Sequence, residues 1–533
     1  MNKKKKILII ALLFLMISSC KEQVSEELPT PHVLISSAPE VDSAVESFLS
    51  LWKNGEHAQM YQMLSSLSKQ EISSEEFVQF YEQTSFNAAL QSIETQLISS
   101  MKNPGSAAAK YKVVYNTALF GSFEREIEMV LTLEENNWKV NWNSGLIMPE
   151  LAGGNRLQLE TINAERGSIY ASDGQPVVSE DTAYAIIPNQ SEDGKEGVLL
   201  SYLSELTGRT PESIQASYED IRRTNWAVPV GEVSADEIAN RWDALIALGG
   251  IQISEFKSRY YYSGGIASQA VGYLSTMSPE QVDEYRDLGY LGDEQIGQAG
   301  IEKYAEQSLA GKPAASLYVV NEANQIVSII NQADAKLPQD ITTTFDKNLQ
   351  IEAQNALLGF NGAIVVMEVE TGRILAMASS PNYDPNLFTA ENSNSAEQLD
   401  ELLNDGKQRL LNRVTQGAYP AGSVFKIIGM AAALESDLYT PDTTYFCGSY
   451  FEELPGERFK DWTVDKELPP SGTLTLVEGL TRSCNPWFYH IGLDLFRQKG
   501  ADYLSEFARG FGLGSATGID QVAEVTGQII DPA

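Results

Sequence analysis

The rhythm of apolar and polar positions changes several times along this chain. An unbroken apolar run, 7–17, follows the basic residues Lys3 to Lys6. It is short for a membrane span and ends in Ile17-Ser18-Ser19-Cys20, so 1–20 reads as a targeting segment. The polar stretch 21–40, with Pro29, Pro31 and Pro39, reads as a tether. From Val41 the spacing turns helical, at Val45, Phe48, Leu49 and Trp52 and again at Phe77, Phe80 and Tyr81. It then falls to period two over 111–120, 124–134 and 138–142, which predicts antiparallel strands with a turn at Asn136-Asn137. Region 41–151 is therefore expected to be a small α+β domain, either a packed spacer or the wall of a pocket.

A second region, 155–335, opens with a strand, turn, strand signal over 166–174, with Asp173-Gly174 as the turn. Arg166 there is a solvated edge residue or a buried ionic staple. Gly297 and Gly300 precede a predicted helix that includes Tyr304 and Leu309. They read as turn glycines, because no Lys and Ser/Thr follow at phosphate-loop spacing. A third region, 339–533, begins with a threonine-rich strand over 340–345 and a helix over 348–358. A buried strand over 362–368 and its return over 373–378 come next, joined by a turn at Thr371-Gly372.

The chemistry concentrates in that third region. Ser423 and Lys426 lie three apart, on one face of a helix that Pro420, Ala421 and Gly422 introduce and the apolar run 424–433 continues. A serine hydroxyl needs a base, and a lysine kept from water has a lowered pKa and serves as one. Five other Ser-x-x-Lys pairs begin at Ser18, Ser50, Ser66, Ser99 and Ser254, and each reads as a solvated face. What separates Ser423 is a second element about sixty residues on. Ser483-Cys484-Asn485 follows a helix over 477–482 and precedes Pro486 and the aromatic group 487–489. Its hydroxyl suits proton relay, and its amide suits holding a peptide carbonyl and the lysine. Ser85-Phe86-Asn87 has the same form and reads as an ordinary turn.

Composition narrows the field. A chain of 533 residues, 43% hydrophobic and 21% charged, is globular and multidomain. A net charge of −34 argues against nucleic acid and against electrostatic docking on an anionic membrane. Cys20, Cys447 and Cys484 make no disulfide framework and show no zinc spacing. His32, His57 and His490 are scattered, and a Ser-His-Asp triad would have to use one of them.

Ser423-x-x-Lys426 followed by Ser483-x-Asn485 resembles the class B penicillin-binding proteins, the peptidoglycan D,D-transpeptidases. The layout is similar to the methicillin-resistance-type subgroup, whose members carry an NTF2-like N-terminal domain. Arg166-Gly167 with Asp173-Gly174 resembles the start of the family's dimerisation or pedestal domain, and 297–302 its last helix entry. The resemblance implies a multidomain α+β chain: NTF2-like domain 41–151, mixed pedestal domain 155–335, and penicillin-recognising serine transpeptidase domain 339–533, with helices around an antiparallel sheet. The small residues Ser18-Ser19 before Cys20 resemble a bacterial lipobox, which implies lipidation of Cys20 and an extracytoplasmic body. An uncleaved N-terminal anchor is the alternative.

By the same resemblance Ser423 is the nucleophile, Lys426 its base, Ser483 a proton relay and Asn485 a substrate holder. Stem peptides and β-lactams are the implied ligands. No metal or organic cofactor is implied, and a separate glycosyltransferase is the implied partner. The family's third motif, Lys-Thr/Ser-Gly on a strand, has no match: Lys499-Gly500 lacks the hydroxyl residue, and 527–532 resembles the stretch before that strand. The transpeptidase domain is thus expected to be incomplete. The rival readings are an inactive fragment or non-catalytic scaffold, and a β-lactam sensor or hydrolase of the same fold.

Overall fold

The computed structural model of the protein describes residues 39–163, 165–188, 196–207, 211, 214–215, 231–234, 238–239, 241–249, 251–388 and 395–531. The targeting segment, Cys20 and nearly all of the tether lie outside the described residues. The chain divides into two compact units, one holding 39–117, 121–158 and 318–328, the other 118–120, 159–317 and 329–533.

In the first unit, helix α1 (Val41–Lys53) buries Val45, Phe48, Leu49 and Trp52, the spacing that predicted it. Helix α2 (Ser74–Asn87) starts at a capping box in which Ser73 and Glu76 each satisfy the other's backbone N–H. Four antiparallel strands follow in sequence order: β1 (Leu90–Asn103), β2 (Ser106–Thr117), β3 (Gly121–Glu134) and β4 (Asn137–Val140). Along β2 every second residue from Ala107 to Thr117 is buried. Sequence reading missed β1, because only Ile93 is fully buried on it and its exposed positions include Ile98 and Met101, so no alternation of apolar and polar residues marks it. The β3–β4 turn sits one residue earlier than expected: Glu135 and Asn136 take the two positive φ values, 49° and 64°. Trp52, Phe77, Tyr81, Tyr111 and Tyr115 fill the space between helices and sheet, so of the two readings the packed one fits. The triplet at Ser85 forms the end of α2.

In the second unit, β5 (Ile169–Tyr170) pairs with β6 (Pro176–Pro188), which pairs along its length with β7 (Ile251–Tyr261). Helices α3 (Gly300–Tyr304) and α4 (Glu306–Ala310) share a core with them, in which Ile301 and Leu309 join Ile169, Val178 and Tyr261. Arg166 is a buried staple: it reaches Glu302 at 3.0 Å and Glu306 at 2.7 Å. Arg259 reaches the other oxygen of Glu302 at 2.7 Å. Gly297 and Gly300 allow close backbone approach; a Cβ on Gly297 would lie 2.2 Å from the carbonyl of Glu302.

The pedestal residues continue into the catalytic-type domain through one core, in which Tyr261, Ala270 and Ile301 pack with Phe345 and Met377. Asn386 takes the backbone of Tyr261 with both amide atoms, at 2.9 Å each. Helix α5 (Lys347–Ala356) packs on the hairpin of β8 (Gly362–Met367) and β9 (Ile374–Ser380). Two expectations need correction here. The 340–345 strand shrinks to Ile341–Thr342, because Thr343 and the residues after it turn to cap α5 through Asp346. Strand β8 is not buried: Ile364 and Val366 face α5, while Val365 and Met367 face outward and are about half exposed.

The remainder is a helical layer. It comprises α6 (Lys426–Glu435), the paired strands β10 (Thr444–Cys447) and β11 (Gly472–Thr475), α7 (Leu476–Thr481), α8 (Asn485–Lys499) and α9 (Tyr503–Gly510). Their core is Ala432, Ala433, Cys447, Leu476, Cys484, Trp487, Ile491 and Leu495.

Candidate active site

Gly422, at φ +54°, turns the chain into a short 3-10 turn, Gly422–Phe425, that runs directly into α6. Ser423 is exposed on that turn, and Lys426 lies half-buried at the start of α6. The face of α6 that packs is its small-residue face, Gly429, Ala432 and Ala433. Val424 and Ile427, expected in a buried run, point outward instead and are more than half exposed.

The second element is built by α7. A capping box between Thr475 and Glu478 starts it, and a left-handed residue ends it: Ser483 has φ +54°. A serine in that region is strained, so the surroundings must hold it. They do so through Ser483 N–H to Leu480 O at 2.9 Å and Cys484 N–H to Gly479 O at 3.0 Å. Trp462 adds a third tie, its indole N–H donating to Arg482 O at 3.0 Å. Asn485 then begins α8, with Pro486 in the first turn, where its missing N–H costs nothing.

The two elements meet at one ammonium group. Lys426 Nζ donates to Ser483 O at 2.7 Å, Ser483 Oγ at 3.1 Å and Asn485 Oδ1 at 2.6 Å. Ser483 Oγ in turn donates to Ser423 Oγ at 3.0 Å. All four residues singled out in the sequence are therefore brought together, and Ser423 reaches Lys426 through the Ser483 hydroxyl. Burial pushes the Lys426 amine below its ordinary pKa, and the carboxylate of Asp461 opposes that shift. A neutral amine in this position reverses the relay, because both hydroxyls rotate freely and can donate toward the lysine.

The sequence reading gave no role to several neighbours, although the stretch 458–462 also resembles the family's transpeptidase domain. Asp461 is fully buried, accepts the Asn485 N–H at 2.8 Å and caps Thr463 through both its N–H and its hydroxyl. Phe488 lies beside Lys426, with Nζ 5.6 Å from the ring centroid. Cys447 and Cys484 are joined, tying β10 to the residue between Ser483 and Asn485. They and Asp461 form one close group of potential metal ligands, but joined sulfurs offer no thiolate. Odd cysteine count was the available signal: once Cys20 is set aside, two remain to pair. His490 bonds Glu453 at 2.9 Å and takes no place beside Ser423, whose hydroxyl partner is Ser483.

Comparison with known proteins places this arrangement. The NTF2-like N-terminal transpeptidase domain model matches 40–155, the penicillin-binding protein dimerisation domain 161–343, and the penicillin-binding protein transpeptidase domain 362–533. The peptidoglycan D,D-transpeptidase MrdA of Escherichia coli is 30% identical over 386 residues, covering 70% of this chain and 59% of that protein. Penicillin-binding protein 3 of Bacillus subtilis is 26% identical over 495 residues, covering 88% of this chain and 70% of its own. A solved chain from a peptidoglycan synthase complex, described for its structural coordination of polymerization and crosslinking, is 29% identical with a TM-score of 0.50, over 73% of this chain and 67% of that one. The chain thus spans about three fifths of the length of the first curated relatives it matches, 59% for MrdA. With three domain models in family order along the sequence, the third holding the Ser-Lys-Ser-Asn site, the chain belongs to the class B penicillin-binding proteins.

Proposed function

We propose that the protein is a peptidoglycan D,D-transpeptidase that works through a serine acyl-enzyme. The observation that carries this reading is the continuous hydrogen-bonded path from Ser423 through Ser483 to a lysine with a lowered pKa. Ser423 Oγ attacks the carbonyl of the penultimate D-Ala of a stem peptide. Its proton passes to Ser483 Oγ as the Ser483 proton passes to the lone pair of Lys426 Nζ. The path then runs backward and protonates the departing amine of the terminal D-Ala. An amine of a neighbouring stem attacks the ester, and Ser423 recovers its proton along the same path. Asn485 holds Lys426 with its carbonyl oxygen, and its amide N–H₂, which makes one long bond to Lys460 O at 3.4 Å, has a second hydrogen to give to a substrate carbonyl. β-Lactams acylate Ser423 as mimics of the same substrate.

The finer placement follows from sequence. Lipidated Cys20, or else an uncleaved anchor, holds the body on the extracytoplasmic face of the cell membrane, and glycan polymerisation falls to a separate glycosyltransferase. No helix among the described residues is long and apolar enough to cross a membrane. The test is labelling of the 533-residue chain with a fluorescent penicillin. Labelling that disappears in Ser423→Ala supports the enzyme. No labelling of the wild type sinks it in favour of a non-catalytic scaffold.

A further inference from the structure

Lys426 has three N–H groups, and its three acceptors, Ser483 O, Ser483 Oγ and Asn485 Oδ1, lie on the side of the second element. Another contact to the ammonium comes from Phe488, whose ring centroid is 5.6 Å from Nζ. Phe488 stands three residues after Asn485 on α8, so ring and amide share one face of that helix. Gly429 stands three residues after Lys426 on α6, and a Cβ there would lie 3.5 Å from Phe488 Cδ1. That distance is ordinary van der Waals contact, so the ring lies against α6 at Gly429, one turn on from the lysine. Both helices spend an i, i+3 pair on one contact: Lys426 and Gly429 from one, Asn485 and Phe488 from the other.

We propose that Phe488 is a positioning residue for Lys426, its ring covering the ammonium and keeping the amine aimed at Ser483 and Asn485. The inference rests on Lys426 being the base of the reaction. Two effects of the ring oppose each other. Its apolar bulk excludes water, which favours the neutral amine. Its face is electron-rich, which favours the cation. A purely structural phenylalanine would produce neither effect on the lysine, so substitutions that separate the two are diagnostic.

The readout is competitive labelling of amines with a trace of acetic anhydride across pH, with mass spectrometry of the peptide that carries Lys426. It requires no turnover. Phe488→Leu keeps the apolar cover and removes the ring's charge distribution; labelling of Lys426 at a fixed pH below its pKa is expected to rise about threefold. Phe488→Ala opens the side to water; labelling is expected to fall by about threefold. Movement of both variants in one direction, or no twofold change in Phe488→Leu, overturns the proposal. Phe488→Leu decides alone if Phe488→Ala does not fold. Failure of the transpeptidase reading shows separately, as absent penicillin labelling of the wild type with the lysine profile still as stated.

Discussion

Two opposing influences set the state of the amine at the centre of the site. Burial lowers the Lys426 pKa and the buried Asp461 carboxylate pulls it back up. Because the folded value lies below that of the unfolded chain, the unfolded chain holds the extra proton between the two values. Stability contributed by this group therefore rises with pH through that window and is least where the ammonium must be buried. The rate of penicillin acylation should rise with pH through an inflection below the ordinary lysine value, as followed by stopped-flow with a chromogenic β-lactam. Asp461→Asn removes the opposing charge and keeps an oxygen for the Asn485 N–H. Its inflection should move to lower pH than the wild type's; a move upward would mean that Asp461 acts on the lysine through structure rather than charge. Asp461→Ala strands the Asn485 and Thr463 N–H groups and should cost about 2–4 kcal/mol in urea unfolding.

Among the elements, α7 and α8 fix the strained serine by packing against each other across a glycine. A Cβ on Gly479 would lie 2.1 Å from Trp487 Cδ1, and Trp487 is fully buried, with Tyr445 stacked on its ring 5.0 Å away. Trp487 has nowhere to retreat, so Gly479→Ala should destabilise the helical layer by about 1–3 kcal/mol. It should also loosen Cys484, whose N–H bonds Gly479 O, and speed amide exchange at 483–485 measured by mass spectrometry. Unchanged exchange there would separate the packing from the serine's conformation. This is also the scale at which sequence reading succeeded and failed. The four site residues were legible because order and spacing of two short motifs carry them. Helices α1 and α2 were legible because their buried residues repeat at helical spacing. The individual roles of Asp461 and Phe488 were not, because each acts across a tertiary contact that leaves no periodic trace. Strand β8 was misjudged for a related reason: Val365 and Met367 are as apolar as Ile364 and Val366, and only the placement of α5 decides which pair is covered.

Over the second unit as a whole, the ionic cluster in the pedestal holds together segments far apart in sequence. Glu302 is completely buried and accepts from Arg166, Arg259 and the Tyr261 hydroxyl. Glu306 accepts from Arg166, the Tyr290 hydroxyl and the Gly297 N–H. Tyr261 then passes its backbone to Asn386, so the cluster is continuous with the elements around β8 and β9. Such a cluster is weak evidence of net stabilisation, since desolvating the ions offsets most of their attraction. Removing one partner is a different matter. Arg166→Ala would leave Glu306 without its cation and Glu302 with one guanidinium in place of two, at a cost of about 3–5 kcal/mol. Arg166→Met, which fills the volume without charge, should cost about as much, because the carboxylates stay buried. Hydrogen exchange should accelerate at 166–170 and 297–310 while the 423–426 turn keeps its protection in the folded population. Acceleration that reaches that turn equally would show that the pedestal and the serine site unfold as one cooperative block.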